Sequence, residues 1–380
     1  MKKISYPIIL DKIFEKLNNY SIKPIIIGGF IRDQLLEIES KDIDIELYNV
    51  KNIDFLENIL KEFGTLNEVG KSFGVIKLCI ADLELDFSLP RTDSKIASGH
   101  RGFKVTANTN LDFKTASSRR DFTINAIGYD VQEQKILDPF GGIEDLYNKR
   151  LKAVELKKFG EDPLRVFRAI QFASRFDLQI DEKLFIKCQT MVDQEELSSL
   201  SKERIFTEMQ KLLLKSATPS SGFILIKQLG LFKMFTELGK LSIEEFERTI
   251  SLLDRYKDGN TPQNKQTLIT MLTLLTSLFK HKDILSFLHR LSDDKEILHK
   301  VTNIHNFIRS PSYTLAMRID SAILKEYLQT TGMQDYKEFI ENLEPKVNGK
   351  DLIAQGLKPS KEFALTLEQK YQEQIKKYLM

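Results

Sequence analysis

The stretch Ile25-Ile26-Ile27-Gly28-Gly29-Phe30-Ile31-Arg32-Asp33, followed shortly by Lys41-Asp42-Ile43-Asp44-Ile45-Glu46-Leu47, decides how the chain is read. An apolar run enters a Gly-Gly turn that opens a helix, and such turns bring backbone N–H groups close to an anion. Arg32, three residues past Gly29, supplies a guanidinium able to pair with phosphate. Alone, the Gly-Gly pair fits an ordinary strand-to-helix turn. The following strand changes the balance. A period of two puts Asp42, Asp44 and Glu46 on one face while Ile43, Ile45 and Leu47 face a core. Carboxylates on one face repel, and a hard divalent cation shared with substrate phosphates is the reason that fits, with Mg²⁺ the default. Two such ions about 3.5–4 Å apart would activate a hydroxyl nucleophile and stabilise a leaving phosphate. Glu46 reads as a solvated strand face, which is common for alternating charge, whereas for the Asp pair, placed soon after the turn, the metal reading is favoured.

Two neighbouring features extend the pattern. In Leu83-Glu84-Leu85-Asp86-Phe87-Ser88-Leu89, Glu84 and Asp86 share a polar strand face, and either could be a third carboxylate or an exposed edge. Between Arg91 and Arg120 seven basic residues face only Asp93 and Asp112, which suits a polyanionic substrate beside a metal site. Thr92 to Gly102 reads as a mobile loop. Arg119-Arg120-Asp121 reads as preceding an apolar helix, where basic residues are unusual because helix N-termini favour acidic ones.

Outward from this centre the chain has two textures. Residues 20 to 140 mix short β-rich runs (24–27, 42–48, 74–80, 83–89, 135–137) with helical spacing at 8–17, 30–36 and 53–63. From Pro163 onward amphipathic helical patterns follow one another, so a small α/β head precedes a long helical body. Pro139-Phe140-Gly141-Gly142 and Lys149-Arg150 mark the expected hinge. The 380 residues carry a net charge of +2, which excludes binding nucleic acid by bulk charge alone. No apolar run approaches the roughly 20 residues of a membrane span, and Met271 to Phe279 is short and broken by threonines and a serine. Cys79 and Cys188 read as buried thiols in a reducing, cytoplasmic setting.

Taken in order, these motifs resemble the class II tRNA nucleotidyltransferases (CCA-adding enzymes) and their bacterial poly(A) polymerase relatives, within the polymerase-β-like superfamily. The matching elements are Gly28 to Asp33, Asp42-Ile43-Asp44, Arg119-Arg120-Asp121-Phe122-Thr123-Ile124-Asn125-Ala126, Glu161-Asp162-Pro163-Leu164-Arg165-Val166-Phe167-Arg168-Ala169, and Glu203-Arg204-Ile205 through Leu213. Val347 to Ile353 is similar to the family's C-terminal region. The resemblance implies an α/β head of polymerase-β-like nucleotidyltransferase type, a mixed sheet with helices, over 1–140. An all-α remainder follows: a neck over 141–218 with the base reader, a body over 219–310, and a tail over 311–380 that docks tRNA.

The resemblance further implies addition of CMP, CMP and AMP to the tRNA 3′ end from CTP and ATP, without a template and with release of pyrophosphate. Asp42 and Asp44 would be catalytic and hold two Mg²⁺ ions. Gly29, Arg32 and Arg120 would hold the triphosphate. Asp162 and Arg165, three apart and so on one helix face, would read the base. Asp162 would accept from the exocyclic amine of C or A while Arg165 donates to a ring acceptor, and UTP and GTP would present a carbonyl to Asp162. Arg168 is similar to a nucleotide-binding arginine of the family. The implied partners are the tRNA 3′ end and acceptor arm, with no membrane and no obligate protein partner. Gln171 stands where some relatives carry another Arg, and Pro359-Ser360-Lys361 departs from the family's Pro-Gly turn. His281, His289, His299 and His305 lack the His-Asp metal motif of relatives with a phosphohydrolase domain. A full-length Arg91 to Phe103 stretch leans away from CC addition, and Lys71 to Lys77 resembles the tRNA-modifying branch. A-addition alone, or poly(A) synthesis on other RNA, is the alternative. An idle RNA-binding helical protein would not need Asp42, Asp44, Asp162 and Arg165.

Overall fold

The computed structural model describes residues 4–67, 75–80, 83–95, 103–257, 261–333 and 336–378. Lys71 to Gly74 and the centre of the Arg91 to Phe103 stretch, on which the choice among activities leaned, lie outside the described residues.

The chain opens with α1 (Ile9–Asn19), whose Leu10, Ile13, Phe14 and Leu17 are buried at helical spacing. Then come β1 (Lys23–Ile27), α2 (Gly29–Leu35), β2 (Ile43–Tyr48), α3 (Ile53–Leu60), β3 (Thr65–Asn67), β4 (Val75–Ile80) and β5 (Leu83–Ser88). After β6 (Arg91–Lys95), β7 (Phe103–Ala107) and α4 (Phe113–Ser117), the sheet is completed by β8 (Gly128–Asp130) and β9 (Lys135–Leu137). Seven strands lie in the order β3-β4-β5-β2-β1-β8-β9. Only β2 and β5 run parallel, so the sheet is mixed. Ile25, Ile26, Ile43, Ile45, Leu85 and Phe87 fill its core. Each apolar side chain fully buried in this way contributes about 1.5–3 kcal/mol.

The helical remainder begins with α5 (Gly142–Tyr147). It continues through the two-residue β10 (Arg150–Leu151), α6 (Leu156–Phe159), α7 (Leu164–Phe176), β11 (Gln179–Ile180) and α8 (Glu182–Asp193). Beyond these are α9 (Lys202–Lys215), α10 (Pro219–Gln228), α11 (Ile243–Tyr256), α12 (Lys265–Leu275), α13 (His281–Leu291) and α14 (Lys295–Arg309). The α/β head and helical remainder are therefore as the sequence implied. Two compact units emerge, one running to Ala169 and adding Asp177–Ser199, the other made of Ile170–Phe176 and the chain from Leu200. Asp138 accepts from the N–H groups of Gly142 and Ile143, at 2.7 and 2.9 Å, and starts α5 within the first unit.

Three local expectations are corrected. Thr92 to Lys95, the start of the stretch read as a mobile loop, belong to β6, which pairs with β7 from Arg91↔Ala107 to Lys95↔Phe103; residues 96–102 of that stretch lie outside the described residues. Cys79 is exposed, because β4 turns Ile76 and Leu78 inward and leaves alternate residues outward. Cys188 is buried, and burial pushes its thiol up to about 12. The third helix stops at Leu60, short of Phe63; its start is capped by Asn52, which accepts from the Phe55 N–H at 2.8 Å.

In the second unit α12 packs against α9, α11, α14 and a later helix, Ser321–Thr331. Its threonines remain compatible with burial because Thr270, Thr273 and Thr276 donate to the carbonyls of Gln266, Ile269 and Leu272. No helix among the described residues is long and apolar enough to cross a membrane. His289 lies on the surface, 3.8 Å from Asp293. His305 is buried with its Nε2 2.9 Å from the Thr276 hydroxyl, and burial pushes its imidazole down to about 4. The unfolded chain therefore takes up a proton before the folded one does, and this contribution to stability is lost as pH falls from 6.5 toward about 4. Denaturant titrations at pH 7 and pH 5 should show His305→Gln losing about 2 kcal/mol less than wild type across that interval.

Candidate active site

Gly28 and Arg120 form the first element of the site. Gly28 has φ +70°, and a Cβ there would sit 2.7 Å from Nη1 of Arg120. Backbone conformation and the close-lying guanidinium both require glycine. The Gly28 N–H donates to the Ile127 carbonyl at 2.9 Å, which ties the turn to β8, and Gly29 then opens α2. Among the described residues the Arg120 side chain has no hydrogen bond or ion pair. Burial and the Arg119 charge pull its pKa down, while Glu46, Asp44 and Asp121 act against them.

The carboxylates lie on the strands beside this turn. Asp44 pairs in register with Ile27 on β1 and with Asp86 on β5. Asp42 is exposed just ahead of β2. Asp44 reaches solvent, yet the protein around its carboxyl raises its pKa; Arg120 opposes the shift and Asp86 and Asp42 add to it. Asp86 thus joins the row, with Lys77 of β4 3.2 Å from its Oδ1, whereas Glu84 is exposed and registers with Cys79. Among the described residues no group of three or more His, Cys, Asp and Glu is gathered to hold a metal unaided. Two or three carboxylates of one row, repelling one another, fit Mg²⁺, which is held by few protein oxygens and completes its shell with water and phosphate.

Glu46 departs from the solvated face expected for it. Its side chain is 3% exposed, and its oxygens accept from the Tyr48 hydroxyl at 2.6 Å and from Nη2 of Arg119 at 3.3 Å. Strand alternation located the residue on the polar row but gave no sign of the arginine that covers it.

Arg119-Arg120-Asp121 is followed by a single 3-10 turn, Thr123–Asn125, and not by an apolar helix. The segment must turn at once because Gly128 to Asp130 pair with β1. Asp121 organises that turn. Its Oδ1 accepts from the Phe122 N–H at 2.9 Å and from Nδ2 of Asn125 at 3.0 Å, and its Oδ2 accepts from Nε of Arg168 at 2.6 Å. Burial pushes the Asp121 carboxyl up, but Arg168, Asn125 and Arg165 outweigh it and hold the pKa below the usual range.

Two arginines expected at the nucleotide are placed in this network. Arg32 is 4% exposed and donates to Asp33 at 2.8 and 2.6 Å and to Oδ1 of Asn125 at 2.5 Å. Arg168 forks onto Asp121. Asn125, which joins Arg32 to Asp121, was missed because a lone amide carries no periodic signal.

The base-reader pair is arranged differently from the single helix face expected of it. Asp162 precedes α7, and its Oδ1 accepts from the Leu164 N–H at 3.1 Å, so it caps the helix. Pro163 enforces this, since the residue before proline avoids the helical region. Arg165 lies in the first turn and donates from Nη1 to the Lys158 carbonyl at 2.9 Å and from Nη2 to the Arg119 carbonyl at 2.8 Å.

The mixed sheet, the glycine turn and the carboxylate row define a nucleotidyltransferase head. Residues 25–152 match the poly(A) polymerase head domain, and residues 177–240 match the probable RNA and SrmB-binding site of polymerase A. A CCA-adding enzyme of Lactococcus lactis subsp. lactis is 30% identical over 309 residues, covering 80% of this chain and 72% of that protein. The chain belongs to the CCA-adding enzyme family. A multifunctional CCA protein of Pseudoalteromonas atlantica is 36% identical over 217 residues, which cover 56% of this chain and only about half (51%) of that protein's length. The fold of the Thermotoga maritima CCA-adding enzyme solved with tRNA_CCA matches with a TM-score of 0.69 at 21% identity, over 99% of this chain and 96% of that one.

Replacing Asp86 with Asn removes a like charge beside Asp44. Carboxyl NMR of the metal-free protein should show Asp44 titrating at lower pH in Asp86→Asn than in wild type.

Proposed function

We propose that this chain adds CMP, CMP and AMP to the 3′ end of tRNA, using CTP and ATP and releasing pyrophosphate. The observation that carries the reading is the bond from Arg165 to the Arg119 carbonyl at 2.8 Å, one residue ahead of Arg120. It ties the candidate base reader to the guanidinium that lies against the glycine turn and feels the charge of Asp44. Family membership supports the same reaction.

Asp42 and Asp44 would hold Mg²⁺, with Asp86 the neighbouring candidate. Bound there, the metal would supply Lewis-acid stabilisation of the phosphate oxygens and of the attacking hydroxyl. Arg120, uncommitted among the described residues, draws the triphosphate toward the turn by charge-assisted hydrogen bonds. Gly29 leaves room at the start of α2, where a Cβ would already come within 3.4 Å of the Arg32 guanidinium. Arg32 and Arg168 act one step back, holding Asn125 and Asp121, and through them the segment that carries Arg120. Arg165 has two of its N–H donors fixed on main-chain carbonyls, which orients the guanidinium plane and leaves three for a base. Asp162 accepts from an exocyclic amine and repels a carbonyl, which favours C and A over U and G. The nucleobase preference is thus a property of the protein, with no nucleic-acid template.

The decisive assay supplies tRNA ending at the discriminator, at C or at CC, with each nucleotide singly and with CTP plus ATP. Defined CCA ends support the proposal; long A tails on any RNA would replace it with poly(A) synthesis. In the same assay Asp42→Ala and Asp44→Ala should each lower addition at least about a hundredfold while the circular-dichroism melt stays cooperative. Arg165→Ala should admit UTP and GTP in a four-nucleotide competition, and unchanged selectivity would remove it from the reader's role.

A further inference from the structure

Glu46 is two residues along β2 from Asp44, takes no part in the reaction just derived, and is a carboxylate inside the protein. Buried charge is retained at a cost unless it is paired and hydrogen-bonded, so its partners show what it holds in place. One partner is Tyr48 of the same strand. The other is Arg119, whose carbonyl receives Nη2 of Arg165. The second carbonyl that receives Arg165 belongs to Lys158, and the Lys158 ammonium donates to Ser118 at 2.8 Å, one residue before Arg119. The two acceptors that orient Arg165 are therefore joined to each other, and their connection to the carboxylate strand runs through Glu46.

We infer that Glu46 is a positioning residue for nucleotide selection, acting through Arg119 on Arg165. This inference rests on the reading of Arg165 as base reader. Selection between an amino and a carbonyl edge depends on where the donors point, and a displacement of about 1 Å at such a group is enough to degrade it by one to two orders of magnitude. Glu46 meets neither base nor phosphate in this scheme; its contribution is to keep the Arg119 carbonyl where Arg165 needs it. Tyr48, by donating to the other oxygen, limits the rotation of the carboxylate.

The test is a selectivity measurement with a double-mutant cycle. Full-length wild type, Glu46→Gln, Arg165→Ala and the double variant are given tRNA acceptors with all four nucleotides in competition, and the ratio of C and A to U and G incorporation is read. Glu46→Gln keeps the side chain's size and removes the charge that holds Arg119. Its ratio should fall about tenfold, and the double variant should be no less selective than Arg165→Ala alone. A folded Glu46→Gln with the wild-type ratio overturns the inference. So does a loss that adds in full to that of Arg165→Ala, which would mean Glu46 acts by another route. If Glu46→Gln does not fold, Glu46→Asp retains the charge but shortens its reach, and the same two outcomes apply. Wild type without any preference among the four nucleotides would instead remove the reader reading itself.

Discussion

Asp121 carries the constraint on which the first unit depends. Its two oxygens receive the Phe122 N–H, the Asn125 amide and the Arg168 guanidinium, and Asn125 is in turn held by Arg32. A loop, a helix of the head and α7 are thereby fixed around one carboxylate. Removing Arg168 would leave the buried Asp121 charge without its ion pair, a loss of about 3–5 kcal/mol. The network is more valuable for its geometry than for its strength. It holds the short segment that carries Arg120 against Gly28 and offers the Arg119 carbonyl to Arg165.

That arrangement explains why so many charged residues converge without cancelling one another. Arg32, Arg168 and Arg119 are each committed to a carboxylate or amide of the protein, whereas Arg120 is placed against Gly28 and left to electrostatics. The protein on one side of Asp44 and the carboxylates near it favour its neutral form, while Arg120 favours the charged one. This balance is what the proposed binding of a cation together with a polyanion would require. The near-zero net charge of the chain is the sum of these local imbalances.

Much of the site was legible in the linear sequence because it follows simple periods. Alternation put Asp42, Asp44 and Glu46 on one face and Glu84 with Asp86 on the polar face of another strand, and the strand-Gly-Gly-helix order located the turn. Alternation could not say which of three like residues would be covered, and Glu46 is buried because Arg119 and Tyr48 reach it from the same side. Helical spacing placed Asp162 and Arg165 together, but Pro163 moved Asp162 out of the helix and made it a cap. The expected helix after Asp121 gave way to one tight turn because the chain had to return to the sheet at Gly128. Such outcomes are set by which segments meet, and local propensity has no access to them.

By itself, then, the sequence determined the class of fold and the carboxylates that share a strand face, since these depend on residue type and on periods of two and 3.6. Only the tertiary structure decided the division of labour among the arginines. A guanidinium binds whichever carboxylate or carbonyl the fold brings within about 3 Å, and residues 32, 125, 121 and 168 are brought together by packing alone. Which of Arg32, Arg119, Arg120 and Arg168 keeps its side chain uncommitted among the described residues is therefore a property of the folded chain, and it is Arg120.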